Sequence, residues 1–177
     1  MIKTVLLVLV AAVALLMLFA ATRPDTFRVE RSTTIAAPAG KLFPLIRDLQ
    51  AFNTWNPYAL KDPAIQLDFG GGPTAGPGAR YDFSGNKDVG KGRITLTGEK
   101  APSEVTMQLD MFEPFEGHNT VVFSLVPDGA GTKVTWAMHG PSAFITKLMG
   151  IFFNMDQMIG KDFDAGLANL KKLAEKA

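Results

Sequence analysis

The sequence predicts an α+β domain behind one membrane-spanning helix, and three observations predict it. Residues Val5 to Ala21 read VLLVLVAAVALLMLFAA, without a charge or a strongly polar side chain. Between Arg80 and His139, short runs alternate apolar and polar residues with period two, the signature of antiparallel strands with one dry and one wet face. From Ser142 to Glu175, Leu148, Phe152, Met155, Ile159, Phe163, Leu167, Leu170 and Leu173 recur at steps of three and four, the stripe of an amphipathic helix. A sheet with one dry face needs a cover, and this segment supplies it. The expected architecture is a curved antiparallel sheet wrapped around one long carboxy-terminal helix.

The amino-terminal run holds 17 residues, roughly 25 Å as a helix at ~1.5 Å per residue. A bilayer core is ~30 Å thick, so the run lies at the short end of a spanning helix. It is apolar all round, which excludes an amphipathic surface helix. It reads as a signal anchor or as a cleaved signal. Cleavage wants small residues at −3 and −1, but a cut after Ala20 puts Leu18 at −3 and a cut after Ala21 puts Phe19 there. This favours the anchor. The expected division is 1–22 for the transmembrane segment and 23–177 for the domain. Lys3 and the terminal amine lie on one side of the run, and Arg23, Arg28 and Arg31 on the other. That charge count alone favours a cytoplasmic domain. The short head before a signal-like run argues the opposite, and the reading adopted is single-pass with the domain outside, periplasmic in a bacterium.

Composition removes several classes of function. The chain has 177 residues, 47% hydrophobic and 20% charged, enough for an ordinary packed core. It has no cysteine, which removes disulfides, thiolate metal sites and thiol nucleophiles. Lys plus Arg number 18 and Asp plus Glu 17, so phosphate-driven nucleic-acid binding has no electrostatic basis.

Taken in order, Phe27 to Ile35 alternates and is rich in β-branched residues, a first strand. Ala36-Ala37-Pro38 ends it, and Leu42, Phe43, Leu45, Ile46 and Leu49 then follow a helical spacing shortened by Pro44. Phe52 to Pro57 is a second short helix or turn. Gly70 to Gly78 is a loop by composition; it lacks the Lys-Ser/Thr of a phosphate cradle, and its prolines remove amide donors. It is expected to be a mobile connection or a lid. Strands are expected at Arg80 to Ser84, Lys91 to Gly98, Glu104 to Met111, Asn119 to Val126 and Lys133 to His139, the last two joined by a turn at Asp128 to Gly131.

These residues, in this order, resemble the START-like superfamily of SRPBCC proteins, of the polyketide cyclase/dehydrase and lipid-transport type. The matching stretches are Ile35-Ala-Ala-Pro38, Asp48-Leu49 with Trp55-Asn-Pro57, Gly78-Ala-Arg-Tyr81 with Gly85-Asn86 and Gly90-Lys-Gly92, Thr132-Lys-Val-Thr-Trp136, and Gly160-Lys-Asp-Phe163 with Gly166-Leu167. Each motif is weak alone; order and spacing carry the resemblance over nearly all of Phe27 to Ala177. It implies the helix-grip fold and a cavity between sheet and long helix for a hydrophobic small molecule, lipid or polyketide-like. The side chains expected around that cavity are Trp55 and Tyr58 in the turn, Tyr81, Phe83, Met107, Phe123, Trp136 and Met138 on the strands, and Phe152, Met155, Ile159 and Phe163 on the helix. The plainer reading of the same residues is ordinary core.

No catalytic constellation stands out. Ser84, Ser124 and Ser142 lie in no Gly-x-Ser-x-Gly elbow. His118 and His139 are expected roughly opposite each other on the wet face, where two histidines without a third ligand read as solvated strand residues rather than a metal site. Asp156 stands between Met155 and Met158 and either faces inward as an acid or base or joins Asp162 and Asp164 on the solvent stripe. Tyr81, Trp55, Tyr58 and Trp136 join an apolar body to a polar tip and suit ligand orientation. The expected function is therefore membrane-tethered binding of a hydrophobic small molecule, with no cofactor and no metal. The alternatives are a cyclase/dehydratase-type enzyme on such a ligand and an interaction module with a filled core.

Overall fold

The computed structural model describes residues 1–176. The chain runs through α1 (Ile2–Ala21), β1 (Thr26–Ile35), three short helices α2 (Ala39–Arg47), α3 (Leu49–Asn53) and α4 (Pro57–Lys61), and then β2 (Gln66–Asp68) and β3 (Arg80–Ser84). There follow β4 (Lys91–Lys100), β5 (Glu104–Glu113), β6 (Gly117–Asp128), β7 (Gly131–Pro141), α5 (Phe144–Phe152) and α6 (Met155–Lys176).

The seven strands form one antiparallel sheet in the order β1-β7-β6-β5-β4-β3-β2. The first long strand thus lies against the last, from Thr26↔Pro141 to Ile35↔Thr132. The β6–β7 hairpin closes at Asp128↔Gly131, where Gly129 takes a left-handed φ of 59° that side chains disfavour. Alternation decides the faces: Val121, Phe123 and Leu125 are buried, and so are Val134, Trp136 and Met138 of the neighbouring strand. Val126 pairs with Lys133, the first of the two partners, Lys133 or Thr132, that the turn at Asp128 to Gly131 allows.

The cover is layered from two sides. α2 packs over β5 and β6, and α6 crosses β1 and β7. On α6, Gly160, Phe163, Gly166, Leu167, Leu170 and Ala174 are buried, a stripe at three- and four-residue steps. Polar clamps fix its angle on the edge strand. Arg31 of β1 donates to Asp156 at 2.9 Å, Lys171 donates to the Thr34 carbonyl at 2.9 Å, and Glu175 accepts from the Ala36 amide at 2.9 Å.

Two local expectations need correction. The long helix expected over Ser142 to Glu175 is two helices. Phe153 is extended (φ −124°, ψ 134°), and Asn154 Oδ1 accepts from the Gln157 amide at 3.0 Å. Asn154 thus starts α6 as an N-cap, and Gly160 is a close packing point against Arg31. The glycine-rich loop is anchored along its second half. The Leu49 amide donates to the Thr74 carbonyl at 2.7 Å, Asp48 and Ala75 form a β-bridge, and the Gly78 amide donates to the Leu96 carbonyl at 2.8 Å. Backbone groups held this way do not swing as a lid.

α1 has 20 residues, of which only Ala20 is buried. It is the one helix among the described residues long and apolar enough to cross a membrane. Four residues, Thr22 to Asp25, join it to β1.

Candidate ligand-binding site

The dry face carries two groups of aromatic side chains. In the first, the Trp136 ring stacks on Phe163 of α6, with centroids 4.3 Å apart and planes at 9°. Phe123 stands 4.9 Å from Trp136, and Trp55 stands 5.9 Å from it, edge-on. Phe52 closes the group against Trp55 at 4.9 Å. All five rings are buried. Gly166 lets α6 come this close: a Cβ there would lie 2.6 Å from the Trp136 ring and 2.8 Å from Pro57. Beneath the middle of α6 the space is therefore filled by rings.

The second group lies across the sheet, beyond the reach of α6. Tyr81 and Phe83 of β3 are 6.3 Å apart, and Phe69 stands 5.4 Å from Tyr81. Gly92 on the adjacent strand makes room for Phe83, since a Cβ there would lie 2.6 Å from its ring. Leu67, Phe69, Phe83 and Leu109 are only partly buried, as are Phe27 on β1 and Ile159 on α6. At the opposite end of the same face Leu96, Val105, Leu125 and Val134 are fully buried. The inner face thus grades from closed to half-open. Its half-open end is where β1 begins, β7 ends and the β5–β6 hairpin turns.

A few polar atoms punctuate this apolar surface. The Tyr81 hydroxyl, buried, hydrogen-bonds with the side chains of Asn53 and Asn56; burial pushes the phenol well above its ordinary value against the smaller pull of those bonds. Trp55 Nε1 donates to the Leu45 carbonyl at 2.8 Å. Trp136 Nε1 is buried with no partner among the described residues. Tyr58 is half-buried beside Asp162; desolvation first, and then that carboxylate, raise its phenol. Asp162 also receives Lys61 at 2.6 Å.

The residues expected around a ligand therefore separate. Trp55, Phe123, Trp136 and Phe163 form the ring cluster, with Met107 and Met138 buried beside it on the strands. Phe83 and Ile159 are partly buried, and Tyr81 is buried at the inner limit of the half-open part beside Phe69 and Phe83. Met155 is half-buried at the start of α6, and Tyr58 sits on α4 beside Asp162. Phe152 is 66% exposed on α5 and does not join the others, because the break at Asn154 carries it off the helix stripe. Phe52, Leu67, Phe69 and Leu109 were missed. Their signals were a one-turn spacing from Phe52 to Trp55, period two through Leu67 and Phe69, and the alternation that runs through Leu109.

The wet face holds ion pairs. Arg93 donates to Asp82 at 2.5 Å and 2.8 Å, and this bonding holds the carboxyl below the usual carboxylate range. His118 and His139 are not opposite: His139 pairs with Thr120, and His118 Nδ1 lies 2.6 Å from Asp110. Among the described residues no three His, Cys, Asp or Glu side chains gather as a metal site would require. Asp156 stays at the surface with Arg31, which lowers its carboxyl. Asp162, not Asp156, is the most enclosed of the three helix acids.

A closed ring cluster beside a half-open apolar face, under a helix gripped by a seven-stranded sheet, invites comparison with known proteins. The family model for polyketide cyclase / dehydrase and lipid transport matches residues 26–175. The chain belongs to this family. Solved structures share the fold. A solution NMR structure from Thermobifida fusca has 23% identity and a TM-score of 0.61, over 84% of this chain and 93% of that one. Ara h 8.0201 has 14% identity and a TM-score of 0.59, over 86% and 99%. CV1439 from Chromobacterium violaceum has 16% identity and a TM-score of 0.59, over 86% and 99%. Identities this low speak to the fold alone: it is the helix-grip fold of the START-like superfamily. No curated protein matches the sequence.

Proposed function

We propose that this member of the polyketide cyclase and lipid-transport family is a membrane-tethered binder of a hydrophobic small molecule. The ligand rests on the half-open part of the inner face, against Phe69, Phe83 and Leu109, with Tyr81 at its inner limit. The observation that carries this reading is the gradient of burial along a single apolar face, whose exposed end consists of Phe and Leu side chains. Large apolar side chains left half-open in a concave site are the usual lining of a small-molecule pocket. One polar group stands at its inner limit, the buried Tyr81 hydroxyl with Asn53 and Asn56.

The tether is α1, whose unfavourable cleavage sites support an uncleaved anchor; the domain is taken to lie on the outer side, periplasmic in a bacterium. Tethering raises the local concentration of a sparingly soluble ligand around its binder. The ring cluster beneath α6 supports a second reading, an interaction module whose core is filled. One experiment separates the two: organic-solvent extraction and native mass spectrometry of the full-length protein purified from membranes. A stoichiometric apolar molecule in the extract, lost on Phe83→Asp, is the expected result. A clean apo mass together with no binding of an apolar fluorescent dye refutes the binder.

A further inference from the structure

The four residues between α1 and β1 leave the domain no leash. Thr22 to Asp25 reach at most about 14 Å even when fully extended, and they are not free to extend. The Ser142 amide donates to the Asp25 carbonyl at 2.7 Å, and Lys147 Nζ pairs with the Asp25 carboxylate. Lys147 belongs to α5, and α1 packs against α5. The chain leaving the span is thus stapled to α5 at once, which fixes that end of the domain beside the membrane.

What this end exposes is apolar. Of the large hydrophobic side chains exposed outside α1, Phe144, Ile145, Phe152, Phe153 and Met158 stand on α5, the elbow after it and the first turn of α6. Two more, Phe112 and Phe115, form the tip of the β5–β6 hairpin, which the strand register places at the same end of the sheet. The others, Leu60, Val126 and Leu173, lie singly elsewhere. The helix FITKLMGIF contains no acid, and its one cation is enclosed: the Lys147 side chain is 8% exposed, in its pair with Asp25. The α5 surface, with no acid and its cation enclosed, adjoins a spanning helix and suits the boundary between headgroups and acyl chains, while the hairpin tip carries the exposed Glu116 beside Phe115.

We propose that α5 and its elbow, Phe144–Phe153, lie in the membrane interface as a second lipid contact, with the Phe112–Phe115 hairpin tip beside them. The proposal rests on the tether reading of α1. The half-open end of the inner face then opens onto the bilayer, so that an apolar ligand passes between lipid and protein without crossing water.

The test uses the absence of native cysteine. Full-length single-cysteine variants Val10→Cys, Phe152→Cys, Phe112→Cys and Val126→Cys are labelled with an environment-sensitive fluorophore and reconstituted into phosphatidylcholine vesicles containing doxyl-lipid. The expected result is quenching at 152 and 112 several-fold above that at 126, with blue-shifted emission. Position 10 reports the tether. Quenching at 10 with 152 and 112 as unquenched as 126 overturns the interfacial contact and leaves the tether standing. Quenching at 152 without quenching at 10 upholds the contact and overturns the tether. Quenching at none of the four overturns both. Position 152 is 66% exposed, so the label does not compete with folding.

Discussion

Gly166→Ala tests how tightly α6 closes on the sheet. In an open helix the change would stabilise by about 1 kcal/mol through helix propensity. Here the new methyl meets the Trp136 ring at 2.6 Å and Pro57 Cδ at 2.8 Å. Neither neighbour can yield easily. Trp136 is locked between Phe163 and Phe123, and Pro57 is a ring in the first turn of α4. Overpacking of this kind costs roughly 1–3 kcal/mol. The net expectation is a loss of up to about 2 kcal/mol, read as a fall in Tm of up to about 8 °C for a domain of this size. Gly160→Ala is the control, because its methyl meets only the Arg31 guanidinium, the far end of a flexible side chain. Swinging Arg31 aside forfeits exposed ion pairs worth little, so Gly160→Ala should hold stability within about 1 kcal/mol. Thermal unfolding followed by circular dichroism on the full-length protein in detergent gives both values. A Gly166→Ala protein about 1 kcal/mol more stable than the wild type, the full propensity gain, would mean that the space under α6 is open, and the division into a closed and a half-open part would fall.

Further outcomes are expected from the same geometry. Phe163→Ala removes a fully buried ring stacked on Trp136 and should cost about 3–5 kcal/mol in a urea melt followed by tryptophan fluorescence; a loss under 1 kcal/mol would contradict the stacked core. The two tyrosines, Tyr58 and Tyr81, both have raised phenol pKa values in the fold. Their contribution is full below the unfolded value of ~10 and is lost as pH rises above it. Tyrosinate absorbance should therefore appear together with alkaline unfolding, and a gradual titration near pH ~10 in folded protein would refute the raised values of both. Asp25, Asp82 and Asp156 are each lowered by a hydrogen bond from a cation, Lys147, Arg93 and Arg31 respectively. The stability they lend is present above the ordinary carboxylate value of ~4 and lost as pH falls below it. Carboxyl carbon NMR should find all three titrating below the ordinary carboxylate value of ~4 at low salt, with the gap narrowing in 1 M salt as exposed pairs are screened.

Much of the sheet was legible because a strand with one dry face writes its orientation into every second residue. Val121, Phe123 and Leu125 could face only one way, and the turn at Asp128 to Gly131 narrowed their partners to two registers. Alternation reports the face but not the depth. Trp136 and Phe83 look alike in sequence, yet one lies under Phe163 and the other beyond the edge of α6. The break at Asn154 was hidden because the apolar spacing continues through it, from Phe152 to Met155 and Ile159. A single cap bond, Asn154 to the Gln157 amide, outweighed that pattern. The anchoring of the glycine-rich loop was equally invisible, since it is made by the backbone of Thr74 to Gly78 against α3 and β4, and composition says nothing of backbone partners. Asp162 escaped notice for a related reason: its enclosure comes from Tyr58 and Lys61, about a hundred residues away in the chain.

The elbow at Asn154 links these findings. Had the helix run unbroken from Ser142, its first turns would have continued the line of α6, with Phe152 carried on the same stripe as Met155 and Ile159. Instead Phe153 turns the chain, α5 packs against α1, and the end of the inner face lined by Phe27, Phe83 and Leu109 keeps its partial exposure. The same local choice thus removes a cover from the apolar face and gives α1 a docking partner. Two glycines sharpen the contrast. Gly166 draws α6 onto Trp136 and closes one half, whereas Gly92 admits the Phe83 ring in the half that α6 does not reach. An open apolar face in water is a liability for a free protein. It becomes tolerable where the open end adjoins a spanning helix and a guest molecule or lipid covers it. Replacing Asn154 by a residue that cannot cap, Asn154→Leu, should favour a continuous helix, pull α5 away from α1 and reduce access to the inner face, measurable as slower uptake of an apolar dye from vesicles. Unchanged uptake with a helix shown to be continuous by hydrogen exchange across residues 151–157 would break the link between elbow and opening.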